Sequence, residues 1–537
     1  MNRRKFIKSI PYLAAPVIVG NVNLKGWANS PMVQQLAQYA ELNDKVLVLV
    51  QMFGGNDGLN TVIPLDKYDS LSVLRPNIMI PANKVLTLPN HPNTGLHPGL
   101  SELHNMYKDG MVKIIQSVGY PNPDFSHFRS TDIWSAASNS DEFLTTGWVG
   151  RFLDEEYPNF PYNYPNPDMP DPLAIQMSSL SNPVFQGPNF ALGMGMDTWR
   201  INNLGGNNVN NFPKLPTGLN TPITSSPHGE NLSFLKDMYR LYNSHTTAVS
   251  NAAYGVTNMV KYPNDNYLAD QLKAVARMIA GGLKTKIYLV GYNGFDTHAN
   301  QVENGDHTIG AHNNLMRILS TSIDAFQKDL ALLKVDDRVM GMTFSEFGRR
   351  IISNNSNGTD HGTAAPLFVF GKNVNSGVLG DNVILNSNMK TEDNLPMQYD
   401  FRSIYATMLH DWFCVPQTNT DDLLLRNFQL LPLVNNICNR SGEAEALAKK
   451  AQIEYITNSP NPFVSSTTIK YKSDGGQTSI QIFDNRGREI KQLLDEQNHD
   501  AGSFEINCDL GELNSGNYYA RLQNGALQQV VCLVKVK

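Results

Sequence analysis

Lys45-Val46-Leu47-Val48-Leu49-Val50-Gln51-Met52-Phe53-Gly54-Gly55-Asn56-Asp57-Gly58 is a nearly unbroken apolar run that stops at a turn of glycine, asparagine and aspartate. Apolar residues without alternation are what a strand covered on both faces needs, as in the middle of a parallel sheet. The residues that follow tolerate left-handed backbone, so the chain can turn tightly at the strand's carboxyl end. Shorter runs of the same texture recur at 112–118, 173–177, 286–292, 338–344 and 367–370. Helical spacing of apolar residues covers 99–107, 230–253, 267–281, 312–333, 401–413 and 442–451. This alternation predicts an α/β domain: an open, mainly parallel sheet flanked by helices, with ligands at the carboxyl ends of the strands. Two stretches rich in Pro, Asn and Gly, 157–172 and 202–228, read as loops, either plain surface or a rim around a substrate.

After Ile456 the texture changes. Short alternating runs at 467–471, 479–483, 504–508, 517–522 and 529–536 are separated by turn signals such as Asp484-Asn485-Arg486-Gly487 and Asn514-Ser515-Gly516. That spacing predicts a small all-β sandwich. A chain of 537 residues with 41% hydrophobic content has the material for such a multi-domain arrangement. Its net charge of -6 offers no field to gather nucleic acid. None of the four cysteines, Cys414, Cys438, Cys508 and Cys532, stands in a C-x-x-C pair, which excludes zinc-finger and thioredoxin readings. In an exported chain the count permits Cys414 with Cys438 and Cys508 with Cys532.

At the other end, Asn2-Arg3-Arg4-Lys5-Phe6-Ile7-Lys8 precedes an apolar stretch over 10–22 that Pro11, Pro16 and Gly20 interrupt. The stretch is too short and broken to span a membrane, and it reads as an export signal cleaved after Ala28. The paired arginines resemble the twin-arginine signal, which carries folded proteins; a Sec signal or a lipid-free anchor stays open as the alternative.

Chemistry-bearing residues follow the strand signals. Asp57 follows the first strand, and Gly294-Phe295-Asp296-Thr297-His298-Ala299-Asn300-Gln301 follows the strand at 286–292. Phe344-Ser345-Glu346-Phe347-Gly348-Arg349-Arg350 follows the strand at 338–344, and Gly358-Thr359-Asp360-His361-Gly362-Thr363 precedes the one at 367–370. Asp57, Asp296, His298, Glu346, Asp360 and His361 are thereby expected along one sheet edge. Mixed carboxylates and imidazoles are the donor set of divalent metals that activate water or a hydroxyl. Blander roles stand beside this one: Asp57 in a plain turn, Asp296 and His298 as a bonded loop pair, Glu346 paired with Arg349 or Arg350.

The order of six motifs adds a resemblance. Gly54-Gly55-Asn56-Asp57-Gly58-Leu59-Asn60, Ser126-His127-Phe128, Asp132-Ile133-Trp134, Asp296-Thr297-His298, Ser345-Glu346-Phe347-Gly348-Arg349 and Thr359-Asp360-His361-Gly362 make the chain similar to the DUF1501 family. That family has no assigned function and is related to alkaline phosphatases, sulfatases and cofactor-independent phosphoglycerate mutases. The resemblance implies an alkaline-phosphatase-like domain over 40–445. It implies Asp57 and Glu346 at one metal, and Asp296, His298 and His361 at a second, with zinc, manganese, magnesium or calcium as the ion. Ser345-Glu346 stands where related enzymes have an Asp-His pair, so one imidazole is missing; His312 is a candidate replacement, and one metal or two stays open. The resemblance also implies a nucleophile at a helix start: Ser126, with Ser130 and Thr131 as rivals, unless Ser126 serves as a cap. Arg129 or Arg349 would hold a phosphate or sulfate oxygen, or serve structure. The formylglycine signature of sulfatases is absent.

The tail resembles the type A sorting domain of the type IX secretion system through Ser459-Pro460-Asn461-Pro462-Phe463, Ile480-Gln481-Ile482-Phe483-Asp484, Gly487, Ala501-Gly502, Ser515-Gly516-Asn517-Tyr518-Tyr519 and Lys535-Val536-Lys537. The expected layout is an export signal over 1–28, the metal-binding domain over 40–445 and the sorting domain over 454–537. It implies the export and type IX machinery as partners, no transmembrane span in the mature chain, and an extracellular or outer-surface location. The functional expectation is an exported metal-dependent hydrolase of phosphate or sulfate esters, acting on a small anionic ester or a sulfated or phosphorylated glycan. The alternative is a non-catalytic secreted or cell-surface binding protein on the same scaffold.

Overall fold

The computed structural model describes residues 44–162, 164–178, 182–197, 227–385, 388–435, 437–438, 456–483, 489–524 and 527–536. The export segment 1–28, the helix expected at 442–451 and most of the loop at 202–228 lie outside them. The described residues form two compact units. One runs to Leu423 and resumes over Leu430–Asn435; the other holds Leu424–Gln429 and the chain from Asn436 onward.

In chain order the strands of the first unit are β1 (Val46–Phe53), β2 (Val62–Pro64), β3 (Leu86–Leu88), β4 (His91–Leu96), β5 (Val112–Gly119), β6 (Ala174–Gln176), β7 (Gly193–Gly195), β8 (Ile287–Asn293), β9 (Val339–Phe344), β10 (Ala365–Phe370), β11 (Gly377–Leu379) and β12 (Tyr399–Asp400). The large sheet has the order β11-β5-β10-β9-β1-β8-β6-β7, with β12 also on β5. β2, β4 and β3 form a separate antiparallel sheet. β1 sits between β8 and β9 and is parallel to both, which is why its sequence has no polar face: Leu47, Val48 and Val50 are fully buried. Helices Ser101–Lys108, Tyr267–Ala280 and Ala311–Leu332 supply the apolar cover, with Leu268, Leu272, Val275, Met316, Leu319 and Phe326 in one core with β1 and β8. Asn266 starts the Tyr267–Ala280 helix by accepting a bond from the Ala269 amide.

One strand departs from the parallel pattern. β10 runs antiparallel to both β9 and β5. Its leading loop therefore lies at the edge where β1, β5, β8 and β9 end, so a motif that precedes its strand meets motifs that follow theirs. The mainly parallel α/β sheet is as the sequence implies, and among the described residues no helix is long and apolar enough to cross a membrane.

The second unit is an antiparallel β domain. Its strands are β13 (Ile456–Ser459), β14 (Ser466–Phe483), β15 (Glu489–Asp509), β16 (Gly516–Asn524) and β17 (Leu527–Lys535), in the order β13-β14-β16-β17 with β15 also on β14. The two runs read as separate strands, 467–471 and 479–483, belong to one strand of 18 residues. Gly475 and Gly476 carry φ of 95° and 90°, and pairing with β15 continues across them, from Ser473 with Gly502 to Gly476 with His499. The glycines therefore mark an irregularity inside a strand and not its end. Ile469, Ile480, Ile482, Ala520, Leu522 and Leu533 fill the core of this unit. Cys414 of the first unit and Cys438 are each disulfide-bonded. Cys508 is a buried free thiol, pushed up to about 11 by burial, so the second bridge that the sequence permits is not formed.

The turn after β1 shows how tightly the edge is built. Gly54 has φ +121°, and a Cβ placed there would lie 2.3 Å from the Asp296 amide nitrogen. Both the dihedral and the contact exclude a side chain. Gly54→Ala is expected to destabilise the protein by about 3 kcal/mol or more, read as a shift of the urea-unfolding midpoint. An unchanged midpoint would mean that the two loops separate at no cost.

Candidate metal centre

The carboxyl edge of the large sheet collects four loops. Ser126 has extended backbone and caps the helix His127–Ala136, so His127 is its first residue. Asp296 and His298 follow β8, Glu346 follows β9, and Asp360 and His361 precede β10. Ligand atoms of His127, Asp296 and His361 all lie within 4.8 Å of one another.

The hydrogen bonds fix which nitrogen of each imidazole faces the centre. His361 Nδ1 lies 2.8 Å from the Phe125 carbonyl, which can only accept, so the proton sits on Nδ1 and Nε2 presents a lone pair. That Nε2 is 3.2 Å from Asp296 Oδ1. His127 repeats the pattern: Nδ1 is 2.8 Å from Glu346 Oε1, and Nε2 faces Asp296 Oδ2 at 3.6 Å. Buried Glu346 is held in turn by the Gly54 amide at 2.8 Å. Two Nε2 atoms and a carboxylate thus converge, each imidazole oriented at Nδ1 by a second acceptor, an arrangement that fits a bound cation. Phe347 packs under both rings, at 4.9 Å from His127 and 4.6 Å from His361.

His298 lies beside this trio. Its Nε2 is 3.1 Å from Asp296 Oδ1 and its Nδ1 3.0 Å from Asp360 Oδ1. Asp360 also accepts from Asn354 Nδ2 at 3.1 Å. Burial by itself would raise the Asp296 carboxyl, but the bond and charge of Arg349, with His361 and His298, hold it below the ordinary value. Burial pulls His361 below its ordinary value, which favours its neutral form.

The remaining residues singled out in the sequence take other positions. Asp57 does not join the trio. It is fully buried, with Oδ1 bonded by Arg75 at 2.8 Å and Oδ2 by Gln301 at 2.6 Å. Burial would raise its carboxyl, and Arg75 foremost brings it below the usual range. Arg349 is buried and donates to the carbonyls of Gly54, Gly55, Phe295 and Thr359 and to Asp296 Oδ1. Arg129 donates to the carbonyls of Asn139, Ser140 and Glu142 and covers the Phe143 ring. Ser126 is exposed; its hydroxyl accepts from the Arg129 amide at 3.5 Å. Ser130 is buried and donates to the Asp124 carbonyl. His312 is also buried, facing Thr61 at 3.5 Å and His97 with ring centroids 5.2 Å apart.

His127 is the residue that the sequence reading did not single out. It stands inside a quoted motif, Ser126-His127-Phe128, in which the hydroxyl was the group assigned a role. A histidine directly after a helix cap, at the end of a sheet strand, is the signal that finds it.

The two buried imidazoles set an acid limit. Burial lowers His312 to about 4 and His97 well below its ordinary value. Their folded-state values lie under the unfolded one, so the unfolded chain binds more protons as pH drops. The stability they contribute is complete above about pH 6.5 and is lost as pH falls toward 4. Replacing His312 with Phe should reduce the loss of unfolding free energy between pH 7 and 4.5 by on the order of 2 to 3 kcal/mol. An equally steep decline in both proteins, measured by urea unfolding, would refute this account.

Residues 239–436 match the family model DUF1501, a protein of unknown function. This stretch holds Asp296, His298, Glu346, Arg349 and His361 but neither Asp57 nor His127. Residues 459–536 match a secretion system C-terminal sorting domain. No curated protein matches the chain. Among solved structures, one titled for the metabolism of multiple glycosaminoglycans by Bacteroides thetaiotaomicron is similar at 10% identity, covering 84% of this chain and 90% of its own, with a TM-score of 0.29. A likeness that distant assigns no residue a role. The chain carries a DUF1501 domain followed by a type IX secretion sorting domain, which marks it for the outer surface or the extracellular space.

Proposed function

We propose that this secreted protein is a metal-dependent hydrolase of phosphate or sulfate esters with one metal held by His127, Asp296 and His361. The observation that carries the reading is the orientation of both histidines, each held at Nδ1 by an acceptor so that Nε2 turns toward one carboxylate. Two imidazoles and a carboxylate suit zinc or a similar transition metal; magnesium and calcium favour all-oxygen shells. A divalent ion there would supply Lewis acidity, polarising an ester oxygen and lowering the pKa of a hydroxyl or water.

The chain's own groups have separate tasks in this reading. Glu346 and the Phe125 carbonyl hold the Nδ1 protons, and Arg349 orients Asp296. Ser126, next to His127 and exposed, is the candidate nucleophile, and the helix start at His127 favours an anionic substrate group. Arg129 and Arg349 are engaged with backbone carbonyls, so the reading assigns neither of them to the substrate anion. The substrate class is a small phosphate or sulfate ester, including a phosphorylated or sulfated glycan.

The test is zinc titration of the chelator-treated protein followed by assays on 4-nitrophenyl phosphate and 4-nitrophenyl sulfate. We expect one zinc per chain, an affinity reduced about 100-fold or more in His127→Ala, and ester turnover lost in Ser126→Ala. Binding without turnover would favour a secreted metal-binding protein. Failure to bind any transition metal would remove the centre altogether.

A further inference from the structure

We infer that Gln301 is a positioning residue for this metal centre, joining buried Asp57 to the two loops that present Asp296 and His361. The inference rests on the metal reading above. Gln301 is fully buried, and both ends of its amide are engaged. Nε2 donates to Asp57 Oδ2 at 2.6 Å. Oε1 accepts from two hydroxyls, Thr297 at 2.8 Å and Thr359 at 3.1 Å. Thr297 stands between Asp296 and His298, and Thr359 precedes Asp360 and His361. The backbone of Gln301 adds two more ties: its amide donates to the Asn357 carbonyl and its carbonyl accepts from the His312 amide.

The chemistry of the side chain explains the choice. A carboxylate on one side requires a donor, and two hydroxyls on the other require an acceptor with two lone pairs; a primary amide offers both in one rigid plane. Glutamate would present an acceptor in both directions and set a second carboxylate against Asp57. Asp57 is anchored on its far oxygen by Arg75, itself buried, so the strut has a fixed base. Asp57 thus acts on the centre through Gln301 and the two threonines, in place of contacting the ion. Groups that orient ligands in this way typically change metal affinity about 10- to 100-fold when removed.

The experiment uses the full chain, stripped of metal and titrated with zinc alone, with the visible spectrum of the cobalt form as a second readout and circular dichroism as a check on folding. Gln301→Glu should bind zinc about 10- to 100-fold more weakly than wild type and shift the cobalt bands. Adding Asp57→Asn should recover most of that affinity. The amide introduced at position 57 can donate to the carboxylate introduced at position 301, which still accepts from Thr297 and Thr359. A residue that serves general stability would give no such reciprocal rescue of metal affinity. If Gln301→Glu folds poorly, the double variant still decides: zinc binding within a few-fold of wild type supports the strut, and a loss as deep as that of His127→Ala overturns it. Unchanged zinc affinity and cobalt spectrum in Gln301→Glu overturn the inference alone, provided that wild type binds and His127→Ala does not. Failure of wild type to bind zinc, cobalt or any other transition metal overturns it together with the metal reading.

Discussion

The guanidinium of Arg349 is the constraint on which the carboxyl edge depends. Gly54 and Gly55 follow β1, Phe295 and Asp296 follow β8, Thr359 leads toward β10, and Arg349 itself follows β9; the donors of one side chain reach all of them. Neighbouring strands fix where each loop begins, but their ladders end at Phe53, Asn293 and Phe344. Past those residues the backbone needs other partners, and a buried cation that satisfies four carbonyls provides them. Such a group tolerates no partial arrangement, because a guanidinium left without acceptors in the interior costs several kcal/mol. Displacing any one of these loops therefore removes an acceptor from a buried cation.

The demand explains the glycines around it. Gly54 and Gly55 adopt φ of 121° and 83°, turning their carbonyls toward Arg349, and a Cβ on Gly55 would meet the Phe347 ring at 2.4 Å. Gly348 faces the Ala364 carbonyl so closely that a Cβ would lie 2.0 Å from it. Backbone can pack on backbone here only because these positions carry no side chain, and Phe347 can then lie under His127 and His361.

Local pattern carried much of the fold. β1, β8 and β9 are legible because burial on both faces leaves uninterrupted apolar runs, and the helices Tyr267–Ala280 and Ala311–Leu332 because one apolar stripe must face the sheet. The direction of β10 is not legible, since Ala365–Phe370 reads the same either way; its orientation depends on pairing with β5, which lies some 250 residues earlier in the chain. At the site, the expectation of a carboxylate and imidazole cluster depends on motifs at strand ends, and Asp296, His298 and His361 do meet. The position of Asp57 was hidden for a different reason. Its partner Arg75 comes from just after a short helix, Tyr68–Leu74, and nothing in the spacing of the two residues predicts a buried ion pair.

That ion pair sets Asp57 apart from Asp296 in physical terms. The Asp57 side chain is 1% exposed and that of Asp296 is 47% exposed. A carboxylate sealed from solvent must be neutralised within the fold, since a bare charge there would be too costly to retain. Arg75 supplies a covalently tethered cation, and it also donates to the Asn60 side chain and the Arg350 carbonyl. Asp296 has Arg349 on Oδ1 and opens to solvent elsewhere, with Nε2 of His127 and of His361 directed toward it. An exchangeable ion can compete where water reaches the ligands, and not where a guanidinium and an amide already hold both carboxylate oxygens. The same edge thus contains two ways of balancing negative charge, one built into the fold and one left open to solution, and only the second has the form of a site that can load, lose or exchange a metal.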